Sequence, residues 1–309
     1  MDHYPLFLAL QMNVVFRGKI FYSAVCLFEN ESFRKLDTKG FVKCEKFLIT
    51  VKVKFTMCRM FAFSGVNKAA LQSIYESLSD VSKSDPLRQS VSNEPLSHRD
   101  GWGYAASISG SLYHFRSASP IFETTHRLPL CDQIIVHARN AARGEPFGVA
   151  SAHPFHASSE DYDFYLAHNG WIDKHRIKRY ENRRLNSITD TEVFLQIMAR
   201  QEGGPEERMA LAVEEIYSCN ALKSGLNLLV LAVSKANTVS AIYVYNDAVE
   251  QSEYLQLYNV VGRGYSTVVS SSLVQSKYFP VYSRSDRLTW KTIYRLDSNG
   301  ITERKLVSV

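Results

Sequence analysis

Apolar residues recur along this chain in two rhythms. Cys58–Ser64 is an almost unbroken apolar run stopped by Gly65, which predicts a strand. Ala69–Val81 repeats Leu71, Ile74, Tyr75 and Leu78 at steps of three and four residues, which predicts an amphipathic helix. Residues 82–95, with Pro86, Asn93 and Pro95 among polar side chains, predict a loop. Two apolar and aromatic runs, residues 101–108 and 112–115, flank Ser109-Gly110-Ser111 and predict a hairpin. Ile134–Ala138 and Tyr162–Ala167 predict strands, the first continuous and the second alternating. Thr189-Asp190-Thr191-Glu192 has the form of a capping box ahead of Val193, Phe194, Ile197 and Met198, so a helix starts there and ends at Gly203-Gly204. Pro205 opens a second helix to about Leu222, with Glu206 and Glu207 in its first turn. Leu226–Val233 and Val239–Tyr245 predict another hairpin, and Tyr254–Val261, Thr267–Ser270 and Trp290–Leu296 further strands. Strands, two helices, then strands again predict a layered α+β domain.

Residues 1–56 follow neither rhythm clearly. Lys46–Lys54 alternates loosely and could be an extra strand. Pro5–Phe16 is apolar but interrupted by Gln11 and Asn13, too short to span a bilayer, and preceded by Asp2 and His3 where a signal peptide has positive charge. We therefore divide the chain into an extension, residues 1–57, and a domain, residues 58–309. Three origins for the extension are open: a start codon placed too early, a propeptide, or a true extension that silences the site. The first is favoured because Met57 itself supplies a start, and a small residue after it permits removal of the initiator methionine.

Composition narrows the class. The 309 residues, 45% hydrophobic and 12% aromatic, suit a globular protein with a sizeable core. The net charge of +5 is concentrated in residues 1–56, which carry +4, so the body is nearly neutral and gives no argument for nucleic acid or membrane binding. Cys26, Cys44, Cys58, Cys131 and Cys219 are odd in number and widely spaced, so neither a disulfide framework nor a zinc ribbon is indicated, and a reducing cytoplasm is the expected compartment.

The chemistry falls on two stretches. If Met57 is removed, Cys58 carries a thiol and a free α-amine on one residue, and an amine with an ordinary pKa of about 7.7–8.0 can take the proton of a thiol near 8.5. The competing reading is a small buried cysteine opening a strand. The second stretch is His137–Gly170. Five of the nine histidines lie between residues 137 and 175. His153, His156 and His168 were weighed as metal ligands. No carboxylate stands at a helical spacing from them, so no metal is expected.

Met57-Cys58-Arg59, Asp100-Gly101-Trp102-Gly103, His137-Ala138-Arg139 with Gly144, Ala152-His153-Pro154-Phe155, His168-Asn169-Gly170 and Thr189-Asp190-Thr191-Glu192 follow one another in that order. Together they resemble the class II glutamine amidotransferases, most of all the standalone branch without a synthase domain. The resemblance covers most of residues 57–200 and, more loosely, the strand and serine turn at residues 268–272.

What the resemblance implies is a four-layer αββα sandwich of the N-terminal-nucleophile hydrolase type. Cys58 would attack the side-chain amide of glutamine or a γ-glutamyl compound, forming a thioester and releasing ammonia or an amine, with no cofactor. Asn169 and Gly170 would stabilise the oxyanion, Arg139 would grip the substrate carboxylate, and Asp190 its ammonium group. His153 and Trp102 would border the substrate, though loop fixing and packing compete for these two. A separate synthase subunit would be the partner. If residues 1–57 stay attached, the alternative is a non-catalytic ligand-binding module. The chain departs from many relatives at Ala142-Arg143 and at Trp171. A basic patch formed by Arg176, Lys178, Arg179, Arg183 and Arg184 reads as a solvated face before a docking surface.

Overall fold

The computed structural model describes residues 8–16, 19–28, 57–89, 97–141, 145–177, 185–281 and 284–307. The chain divides into two units, Met1–Phe55 and Thr56–Val309. In the first, β1 (Leu8–Phe16) and β2 (Lys19–Phe28) pair antiparallel, with Leu8 opposite Phe28. This hairpin was not anticipated, and the strand expected at Lys46–Lys54 lies outside the described residues.

The second unit holds two antiparallel sheets. One has seven strands in the order β13-β11-β12-β3-β6-β4-β5, and the other six in the order β15-β14-β10-β9-β8-β7. The strands of the first are β3 (Arg59–Gly65), β4 (Trp102–Ile108), β5 (Ser111–Ser117), β6 (Gln133–Ala138), β11 (Leu257–Gly262), β12 (Tyr265–Ser270) and β13 (Arg284–Arg287). Those of the second are β7 (Phe155–Ser158), β8 (Tyr162–Ile172), β9 (Leu222–Ser234), β10 (Ser240–Asn246), β14 (Thr292–Asp297) and β15 (Gly300–Leu306). Among the described residues the unit also has four α-helices: α1 (Lys68–Lys83), the single turn α2 (Pro86–Gln89), α3 (Asp190–Arg200) and α4 (Pro205–Ser218).

The apolar run of β3 explains its central place. Side chains alternate across a strand, so Met60 and Ala62 face one way and Phe61 and Phe63 the other. Met60 and Ala62 pack with Ile135 of β6 against Tyr165, Ala167, Leu229 and Val244 of the six-stranded sheet. Phe61 and Phe63 pack against Leu71, Ile74 and Leu78 of α1. A strand buried on both faces has no polar alternation to show, and burying each large side chain contributes about 1.5–3 kcal/mol. The far face of the six-stranded sheet repeats the scheme: Phe164 and Leu166 of β8 meet Val193, Phe194 and Ile197 of α3 and Met209 and Val213 of α4.

The caps follow the sequence. Asn67 accepts from the Ala70 N–H and opens α1. Thr189 and Glu192 form a reciprocal capping box, with the Thr189 N–H donating to Glu192 at 2.8 Å. Pro205 stands in the first turn of α4. These starts are therefore fixed within a residue, and α3 delivers Asp190 and Thr191 to the end of β8.

Candidate active site

Cys58 immediately precedes β3, in the middle of the seven-stranded sheet. Since Arg59 lies opposite Ala138 in the β3–β6 ladder, the same register sets Cys58 beside Arg139. The thiol receives the Asn140 N–H at 3.4 Å, and its own hydrogen points to the Asn140 carbonyl at 3.7 Å. The Cys58 N–H donates to Asn169 Oδ1 at 2.8 Å. Asn169 belongs to β8 of the other sheet, so the site bridges the two sheets at the start of β3.

Cys58 is only 8% exposed. Burial pushes its thiol up to about 11, while the Asn140 N–H and the Arg139 charge pull it back in part and the Asp190 and Asp100 charges add to the rise. A thiol in that state is a poor nucleophile, because the thiolate is the attacking species. For such a thiol to attack, a base at hydrogen-bond distance is needed, and the residue's own nitrogen is one candidate. While a residue precedes it, that nitrogen is an amide and cannot serve.

Arg139 is held by its backbone. Its N–H donates to the Gly101 carbonyl at 2.8 Å and its carbonyl accepts from Asp100 at 3.0 Å, while the Asp100 carboxylate receives the Ala141 N–H at 2.7 Å. Gly101 has φ +106°, and a Cβ there would stand 2.6 Å from the Ser117 carbonyl. The Asp-Gly-Trp-Gly motif thus works as a clamp on the Arg139 strand end. Trp102 is fully buried among Tyr75, Tyr104, Phe115 and His126, with ring centroids 5.1–6.2 Å away.

Besides Arg59, whose Nη2 is also unpaired, three buried side chains around Cys58 keep an N–H group without a partner among the described residues: Arg139 Nη1, Asn140 Nδ2 and Asn169 Nδ2. Buried donors are ordinarily satisfied, so three orphans next to one thiol mark a place that can receive the oxygens of a ligand. For Asn169 the arrangement follows from its other end, because Oδ1 is taken by the Cys58 N–H and the amide nitrogen is left for something else. Asn140 carries no sequence signal apart from following Arg139, and the expectations above omit it.

Asn169-Gly170 is not a hairpin turn. The two residues continue β8, opposite Asn227 and Leu226 of β9, with a register shift between Gly170 and Ile172. Gly170 has φ +157°, and a Cβ on it would fall 1.7 Å from the Gly225 carbonyl oxygen, so only glycine fits. Asp190 accepts the Ile172 N–H at 2.9 Å and the Thr191 N–H at 2.8 Å through its two oxygens. Behind it, Lys174 donates to the Ile188 carbonyl at 2.7 Å and lies 3.4 Å from Glu145, whose carboxyl is raised by burial and by the Asp190 charge.

His137, His153 and His168 form a buried cluster. His137 and His153 have ring centroids 4.1 Å apart, and burial holds all three below the usual histidine value. His153, preceding a cis proline, contacts Thr191 Oγ1 through Nε2 at 2.9 Å. His156 points elsewhere, to Asp163 at 3.1 Å, so the weighed triad of histidines does not converge. Among the described residues no cluster of three or more His, Cys, Asp or Glu could hold a metal ion. Ala142, Arg143, Gly144, Lys178, Arg179, Arg183 and Arg184 lie outside the described residues. Among the described residues no helix is long and apolar enough to cross a membrane.

No protein-family model matches the sequence, and no curated protein sequence matches it significantly. Solved structures do. Glutamine phosphoribosylpyrophosphate amidotransferase from B. subtilis, complexed with ADP and GMP, superposes with a TM-score of 0.56 at 16% identity, over 81% of this chain and 49% of that one. A structure described as the allosteric regulatory enzyme of purine biosynthesis gives 0.55 at 16% identity, over 81% and 49%. The chain thus spans about half the length of the structures it matches. The resemblance carried by the six motifs has its counterpart in three dimensions, and the chain shares the fold of a glutamine amidotransferase.

Proposed function

We propose that residues 58–309 form a class II glutamine amidotransferase-type amide hydrolase, built as the four-layer αββα sandwich of N-terminal-nucleophile hydrolases. The observation that carries this is the ring of unpaired buried donors, Arg139 Nη1, Asn140 Nδ2 and Asn169 Nδ2, around the Cys58 thiol and nitrogen.

Once residues 1–57 are absent, the Cys58 nitrogen is an amine and takes the thiol proton. The thiolate attacks the γ-carbonyl of glutamine or a γ-glutamyl amide, and negative charge gathers on its oxygen. Asn169 Nδ2 and the Gly170 N–H donate to that oxygen, a contribution on the order of 10²–10³ in rate per donor. The C–N bond breaks, the departing nitrogen collects the proton held by the Cys58 amine, and ammonia or an amine leaves. Water then cleaves the thioester to the acid and restores the thiol. Arg139 pairs with the substrate α-carboxylate and Asp190 with its α-ammonium group. The released ammonia would pass to a separate synthase subunit, or the protein acts as a free amidase in the cytoplasm. Nothing in this scheme calls for a metal or an organic cofactor. A second reading, a ligand-binding module, follows if residues 1–57 are retained, because the Cys58 nitrogen is then an amide.

The experiment is intact mass of the protein from its native source, joined to a glutamine hydrolysis assay. Protein beginning at Cys58 should release ammonia from glutamine, and Cys58→Ala should reduce turnover to background with the fold unchanged. Turnover persisting in Cys58→Ala would remove Cys58 from the mechanism. A mass that includes residues 1–57, with glutamine bound but not hydrolysed, would establish the binding module.

A further inference from the structure

Thr191 sits where four elements meet: the loop carrying His153, strand β8 with His168 and Asn169, strand β9 with Gly225, and the start of α3 with Asp190. Its hydroxyl oxygen lies 2.9 Å from His153 Nε2 and 3.1 Å from His168 Nδ1. His168 Nε2 faces the Gly225 carbonyl at 3.5 Å, and the His168 carbonyl faces His137 Nε2 at 3.1 Å. The residue itself is 1% exposed.

Proton counting gives these contacts a direction. A carbonyl oxygen can only accept, so His137 carries its proton on Nε2, and His168 carries its own on Nε2 toward Gly225. A neutral His168 then has a bare Nδ1 3.1 Å from the Thr191 hydroxyl, and it takes that hydrogen ahead of the other acceptor in reach, Asp190 Oδ1 at 3.4 Å, whose lone pairs already hold the Thr191 N–H. The Thr191 oxygen is left to accept from His153, which therefore bears its proton on Nε2. This assignment agrees with the two ring nitrogens that lack any partner, His137 Nδ1 and His153 Nδ1, since each is a bare acceptor in it. The opposite assignment would set a bare Nε2 of His168 against the lone pairs of the Gly225 oxygen.

We propose that Thr191 is a positioning residue whose hydroxyl relays a one-way hydrogen-bond chain, His153 to Thr191 to His168 to the Gly225 carbonyl, that locks Asn169-Gly170 in register with Asp190. The two ends of the chain bear directly on those residues. The Gly225 oxygen is the atom that a Cβ on Gly170 would strike, and Thr191 is bonded through its backbone N–H to the Asp190 carboxylate at 2.8 Å. The hydroxyl thus ties the proposed oxyanion donors on β8 to the proposed ammonium partner on α3. The functional part of this inference rests on the amide-hydrolase reading, whereas the direction of the chain does not.

The test compares the wild type with Thr191→Val and Thr191→Ser, reading spectra from the full chain and glutamine turnover from protein that begins at Cys58. Long-range ¹H–¹⁵N spectra of the wild type should show His153, His168 and His137 protonated on Nε2, with His168 Nδ1 shifted as a hydrogen-bond acceptor. Thr191→Val should abolish that shift and move the amide resonances of Asn169 and Gly170. Glutamine kcat/KM should fall about a hundredfold, the order expected for misplaced catalytic groups. Thr191→Ser, which keeps the hydroxyl, should restore all three. A wild-type His168 protonated on Nδ1 overturns the relay without any variant having to fold, as does a Thr191→Val protein whose Asn169 and Gly170 resonances stay in place. If the wild type binds and turns over no glutamine, the functional reading fails, and the spectra still decide the relay.

Discussion

Two arginines stand beside each other at one end of the seven-stranded sheet, and the protein treats them in opposite ways. Arg59 follows Cys58 on β3 and is fully enclosed. Its Nε meets Asp85 at 2.5 Å, its Nη1 donates to the Tyr254 carbonyl at 3.0 Å, and its guanidinium lies 3.8 Å from the Tyr254 ring centroid. Asp85 also meets His98 at 3.2 Å and Ser272 at 3.3 Å, and Arg59 and His98 together hold its carboxyl far below the usual carboxylate range against the burial that raises it. Arg139, 4% exposed, has no carboxylate at ion-pair distance among the described residues and has the Phe147 ring 6.0 Å away, while each arginine keeps one unpaired nitrogen, Arg59 Nη2 and Arg139 Nη1. A buried charge without a counterion is costly. One arginine is paired with a carboxylate of the fold, and among the described residues the other is not.

The largest effect expected from this contrast is on stability. Arg59→Met strands the Asp85 charge in the interior and should cost about 3–5 kcal/mol, read as a lower urea midpoint at unchanged slope. A loss below about 1 kcal/mol, the level of an exposed pair, would break the comparison. Arg139→Lys should leave stability within about 0.5 kcal/mol. It should raise KM for glutamine roughly tenfold or more with kcat little changed, since lysine loses the bidentate grip. A change confined to kcat would mean that Arg139 does not hold the carboxylate.

The smallest effect is a pH slope. His137, His153 and His168 have folded-state values below the ordinary 6.5, so the unfolded chain binds more protons than the folded one once pH drops beneath about 6.5. Stability from these groups is complete above that point and declines as pH falls, by up to about 1.4 kcal/mol per pH unit for each histidine. The Asp85 contribution is present above the ordinary carboxylate value and is lost only at lower pH. Thermal melts between pH 7 and 5 should show the first window, and a flat profile would mean that the histidines are not held neutral.

Only one of the two arginines was readable beforehand. Arg139 was given a role by its motif, whereas the partners of Arg59, Asp85 and Tyr254, are 26 and 195 residues away, Asp85 in a stretch read as a loop, with nothing local to join them. The same division runs through the fold. Central strands and capped helices were legible, because burial on both faces and capping side chains are local signals: α3 begins where Thr189 predicts it, and β6 differs from its expected span by one residue. Of the four edge strands described in the second unit, only β5 was anticipated, and β7, β13 and β15 were missed. β13 is Arg-Ser-Asp-Arg and β15 runs through Glu303, Arg304 and Lys305, the charged composition that keeps an edge from pairing with other chains and also hides the period-two pattern. Pro205's helix stops at Ser218, short of Leu222, which opens β9 instead. At the site, the motifs supplied Cys58, Arg139, Asn169, Gly170 and Asp190, but Asn140 and Thr191 are defined by what their atoms touch, which no spacing encodes.

The enclosure of the thiol has a consequence for its chemical durability. At neutral pH a thiol near 11 is ionised in only about one molecule in ten thousand, and peroxides and alkylating agents react with the ionised form. Enclosure therefore keeps Cys58 slow to oxidise or alkylate for as long as the thiol stays buried.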